Sequence, residues 1–141
     1  MVTAEAAIFG PAFAMAGLTC VVYLRMYWIR ITQMKRERIA VQAVATSAEM
    51  AALLSDTRAS DNFRNLFELP VLFYVALFVA WATGQVTDVS LGLAWAFVAL
   101  RVLHSVVHCT YNTVMHRFAL HATGAVVLWV LWAYLALGFF A

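Results

Sequence analysis

Two stretches hold most of the residues that could do chemistry in this apolar chain. The first spans residues 58–70 and contains Arg58, Asp61, Arg64, Asn65, Glu68 and Pro70. The second spans residues 101–112 and contains Arg101, His104, Ser105, His108 and Asn112. On a helix, Arg58, Asp61, Asn65 and Glu68 fall within an arc of about 80°. Arg101, His104, His108 and Asn112 do the same. Each stripe joins a segment apolar enough for a membrane, where lipid cannot solvate it, so protein or a polar ligand must. The first stripe carries two charge signs and an amide, and the two stripes are expected to face each other across the bundle interior. The imidazoles add proton transfer or metal binding to what such a site could do.

Several readings compete for these residues. A buried network of Glu68 with Arg101 and Arg64 could simply fix helix register. The histidines could be satisfied core residues, or the charges could mark an ion or proton path. His104 and His108 stand at i, i+4, a spacing that suits a metal, with Glu68 in reach and His116 and His121 beyond. No larger set of histidine motifs accompanies them, and a haem would leave the Arg and Asn residues without a task. No metal is expected.

The elements that must position these side chains follow from composition. Of 141 residues, 65% are hydrophobic and 11% charged, and the mean hydropathy is +0.86. A soluble domain carries roughly 25% charged residues, so the chain is an all-α integral membrane protein, one domain over residues 1–141. The net charge of +2 is too small to suggest a nucleic-acid partner. The first span is residues 7–29, with Gly17 and nearby alanines offering a close-packing face. Arg25 near its end reads as snorkelling beside Tyr23, Tyr27 and Trp28. A second helix is expected to start near Ser47 and run unbroken to residue 82, bent at Pro70. The third span covers residues 91–109 and the fourth residues 119–140. Both cysteines, Cys20 and Cys109, read as small buried hydrophobes.

Arg30, Lys35, Arg36 and Arg38 form the densest positive cluster, opposed only by Glu37. By the positive-inside rule this loop is cytoplasmic, which puts the N- and C-termini on the non-cytoplasmic side. The expected location is a multi-pass position in a bacterial inner membrane rather than the endoplasmic reticulum. Glu68 is expected to pair with Arg101 or to share its network, with Asp61 a third member of that structural polar network.

Arg64-Asn65-Leu-Phe-Glu68-Leu-Pro70, then Arg101-Val-Leu-His104, then Arg117, resembles the MAPEG family, the membrane-associated proteins of eicosanoid and glutathione metabolism. Arg25-Met-Tyr27 is similar as well, and the resemblance covers nearly the whole chain in order. It implies a homotrimer of four-helix subunits with glutathione between neighbours, near the cytoplasmic side. It implies Arg36, Arg64, Asn65, Glu68, His104, Arg117 and His121 as ligand residues, with Arg101 structural. The chain departs from the family at Asp61, where a basic residue is usual, and at His108 and His121, where tyrosines are.

Glutathione has two carboxylates, one ammonium and a thiol. Arg64, Arg117 and Arg36 suit the carboxylates, and Glu68 or Asp61 suits the ammonium. A free thiol has a pKa of about 8.5, so a nearby cation is needed to make the nucleophile at neutral pH. Arg117 is the first choice as catalytic group, with His108 as donor in place of the tyrosine. The expected function is a glutathione-dependent transferase or peroxidase acting on lipophilic electrophiles from the bilayer. The alternative is a non-catalytic family member that binds a lipid or a protein partner at the same groove.

Overall fold

The computed structural model describes residues 5–141. A 3-10 turn, Glu5–Ile8, leads into α1, Phe9–Glu37, and a second 3-10 turn covers Val41–Val44. Then follow α2 (Ser47–Leu53), α3 (Arg58–Asn65), α4 (Leu69–Ala82), α5 (Asp88–Cys109) and α6 (Val114–Phe140). No strand occurs among the described residues. Glu5–Glu37, Arg58–Ala82, Asp88–Cys109 and Val114–Phe140 are each long and apolar enough to cross a bilayer.

The expected second helix is not continuous. It starts at Ser47, where Thr46 and Glu49 form a capping box, but stops at Leu53. Leu54–Thr57 is a break, and Asp56 there accepts from the Arg58 backbone and side chain. A second break at residues 66–68 separates α3 from α4. Pro70 is therefore no mid-helix kink. It stands in the first turn of α4, where a missing N–H leaves no bond unmade. The second break separates Glu68 from Arg58, Asp61 and Asn65, which stay together on α3.

The core is a column of apolar side chains from all four spans. Ile8, Met15, Phe73, Leu77, Phe97 and Leu128 are among its buried members. Phe73 and Phe97 stack at 4.5 Å between ring centroids. Gly17 meets nothing within 4 Å of where a Cβ would stand, so its face is open rather than packed within the chain. Cys109 is buried as expected, whereas Cys20 is exposed.

At the basic end of the bundle the last carbonyls of α5 are held by two arginines. Arg25 donates to the Cys109 carbonyl at 2.8 Å, so it reaches across to α5 instead of snorkelling. Arg58 donates to the Thr110 carbonyl. Cations at a helix C-terminus satisfy orphan carbonyls and oppose the helix dipole. These contacts bring α1, α3 and α5 together where the polar residues lie.

Candidate functional site

Arg101 is a fully buried cation, only 1% exposed. Its Nη1 donates to Asn65 Oδ1 at 2.8 Å, and its Nη2 to the Asn65 carbonyl at 3.3 Å. That carbonyl lies at the end of α3, outside the helical ladder, and also accepts the Glu68 N–H at 3.4 Å. The Asn65 Nδ2 in turn donates to Glu68 Oε2 at 2.9 Å. Arg101 and Glu68 thus share a network through one amide, without a direct ion pair. The guanidinium carbon of Arg101 also lies 5.6 Å from the Phe97 ring centroid, where the polar layer meets the apolar core.

Around this layer is an open cleft of about 310 Å³. Asn65, Glu68, His104, His108, Arg117 and His121 form its polar wall, and Val114 and Phe118 its apolar lip. Arg117 Nη1 donates to Asn112 Oδ1 at 2.7 Å and to His108 Nε2 at 3.1 Å. Nη1 has two hydrogens, so Nη2 and Nε keep three donors for a ligand.

Because a guanidinium only donates, these bonds set the tautomers of the neutral imidazoles. His108 Nε2 accepts from Arg117, which puts the ring hydrogen on Nδ1. His121 Nδ1 accepts from Arg101 Nη1 at 3.3 Å, which puts its hydrogen on Nε2. His104 Nδ1 donates to the Arg117 carbonyl at 3.0 Å, which leaves its Nε2 a bare acceptor. Arg101 Nε, His104 Nε2 and His108 Nδ1 are buried without a partner among the described residues. An unmade buried hydrogen bond costs about 1–3 kcal/mol, so such atoms at a cleft point to a polar ligand.

Six expected site residues therefore meet in one cleft: Asn65, Glu68, His104, His108, Arg117 and His121. Arg64 and Arg36 do not join them. Arg64 lines a separate hollow with Arg30, Asp56 and Asp61, and Arg36 is exposed and pairs with Glu37 at 2.9 Å. Asp61 accepts from Thr57 Oγ1 at 2.8 Å and stands outside the Arg101 network. No cluster of three or more potential metal ligands occurs among the described residues. Sequence reasoning missed Asn112 as the residue that holds Arg117. It adopts a positive φ of 51°, a conformation in which Asn is enriched, in the turn between α5 and α6. It also missed Val114 and Phe118, which share the helical face of His121 at spacings of 4 and 3.

The fold and the cleft define a multi-pass helical membrane protein with a polar site near one end of the bundle. The MAPEG family model matches residues 8–137, and the chain belongs to that family. No curated protein and no solved structure matches the chain.

Proposed function

We propose that the protein is a glutathione-dependent transferase or peroxidase acting on lipophilic electrophiles. The observation that carries this reading is the Arg117 guanidinium. It is fixed by His108 and Asn112 and keeps three donors beside the unpartnered nitrogens of His104 and His108. A thiol in the cleft would release its proton to water. Arg117 and His108 Nδ1–H would then hold the thiolate. Attack on a carbon electrophile forms a C–S bond and expels a leaving group, or leaves a carbanion that takes a proton. With a hydroperoxide, two thiols supply two electrons and give alcohol, water and disulfide. Val114 and Phe118 would guide the lipophilic partner in from the bilayer.

In the cleft, Glu68 suits the ammonium of glutathione and Arg117 one carboxylate. The second carboxylate needs another cation, and Arg64 faces away from the cleft of its own chain. A neighbouring copy would supply it, in keeping with a homotrimer. The basic end, with Arg30, Lys35, Arg36 and Arg38, would face the cytoplasm.

The test is thermal unfolding of the detergent-purified protein with and without millimolar glutathione. A ligand at 100 times its Kd stabilises by about 2.7 kcal/mol. A clear upward shift is expected. No shift, with no heat of binding by calorimetry, removes the glutathione reading and leaves the non-catalytic alternative.

A further inference from the structure

The far end of α1 has a groove that the cleft does not use. Its volume is about 340 Å³. Ile31, Met34, Ile39 and Val41 supply the apolar lining, and Arg30 and Lys35 the charge. The groove exists because of how α1 ends. Arg38 takes a left-handed conformation, φ 54°, and its N–H bonds to the Met34 carbonyl. The Ile39 N–H reaches the same carbonyl at 3.0 Å. This helix stop folds the next residue back toward the preceding turn. The chain doubles back beside α1, yet Val41 stays 80% exposed.

The charge at the groove is one-sided. No acid lines it, and neither Arg30 nor Lys35 has an ion-pair partner among the described residues. Glu37 is already held by Arg36 at 2.9 Å and by Gln33 at 3.1 Å. The Arg30 guanidinium sits 5.6 Å from the Tyr27 ring centroid, an aromatic at the end of a membrane span. Two unpaired cations beside uncovered apolar side chains match the two halves of one molecule type. A soluble anion would leave Ile31 and Val41 in water, and a neutral lipid would leave the cations without a counter-charge.

We propose that this groove binds an anionic membrane phospholipid. Its phosphate lies between Arg30 and Lys35, and its acyl chains cover Ile31, Met34, Ile39 and Val41. The site is independent of glutathione and of the cleft.

The test is native mass spectrometry of the purified full chain after exchange into phosphatidylglycerol or phosphatidylcholine, read as lipid retained on mild delipidation. Preferential retention of phosphatidylglycerol is expected. Arg30→Gln with Lys35→Gln should lower it by about fivefold per charge removed, while Arg36→Gln should leave it unchanged. Equal retention of the two lipids, or undiminished retention in the double variant, overturns the proposal. So does equal thermal stabilisation by inorganic phosphate and by phosphatidylglycerol, which would mark a site for free anions. Lost retention together with a changed oligomeric state would also overturn it, by marking a contact between copies. If the double variant does not fold, Lys35→Gln alone and the wild-type lipid comparison still decide.

Discussion

The cleft and the hollow between α1, α2 and α3 use the same residue types and dispose of their charge in opposite ways. In the hollow, Asp56 takes two bonds from the Arg58 side chain, at 2.9 and 2.7 Å, and Asp61 takes the Thr57 hydroxyl. Partners lie two and four residues away, and the space left is about 40 Å³. In the cleft and the buried layer behind it, Arg117 and Arg101 bond only to neutral groups, three nitrogens have no partner among the described residues, and about 310 Å³ is open. Carboxylates held by near neighbours in the chain shape a chain end. Charge held by long-range amides and imidazoles stays available to a ligand.

Breaking the cleft network should have the largest effect. Asn65→Leu leaves the Arg101 guanidinium buried and without its main side-chain acceptor, and should cost about 1.5–3 kcal/mol. Adding Arg101→Leu should restore part of that loss, because the stranded charge is gone. Thermal unfolding of the single and double variants in detergent measures both. A double variant no more stable than Asn65→Leu would refute the relay through Asn65.

Next comes Arg117→Ala. Its turnover of a chromogenic electrophile with glutathione should fall about 10²–10³-fold, the usual loss for a positioned donor. Its unfolding temperature should change far less than that of Asn65→Leu. Unchanged turnover would take Arg117 out of the chemistry.

Changes at the hollow should be smaller and should leave turnover alone. Thr46→Ala removes the cap of α2 and should cost about 1 kcal/mol, seen as faster amide exchange over residues 47–53. A drop in turnover would show that α2 helps to build the site.

The smallest effect belongs to Asp56. Hydrogen bonds from Arg58 hold its carboxyl below the ordinary value of 3.8. Its contribution is therefore complete above that pH and is lost as pH falls through the lower folded value. The pair is partly exposed, so Asp56→Asn should cost only about 0.2–1 kcal/mol at neutral pH, and less in high salt. The gap between variant and wild type should close as pH drops below about 4. A gap that widened instead would mean that the ion pair is not its source.

The four spans were legible because hydropathy over about 20 residues has one stable answer in a bilayer. The meeting of Asn65 and Glu68 with His104, His108 and Arg117 was legible for a related reason, since polar stripes on membrane helices must face inward. The breaks in the second helix were not read, although Ser55, Asp56 and Thr57 are turn formers that bond their own backbone. Good helix formers on either side masked them. Pro70 reads as a bend only where residues 58–82 form one helix, and the break at residues 66–68 removes that condition. The family resemblance puts Arg64 with Asn65 and Glu68 as a ligand residue. At one residue from Asn65 it is turned by about 100°, which carries it toward the hollow.

The side-chain amide of Asn65 has only one workable orientation. Its oxygen meets a guanidinium and its nitrogen meets a carboxylate, so turning it over would set donor against donor and acceptor against acceptor. One tip of α3 is thereby keyed like a polarised plug. Replacing that NH2 by oxygen, a change of almost no volume, would turn the connector into two acids pressed together.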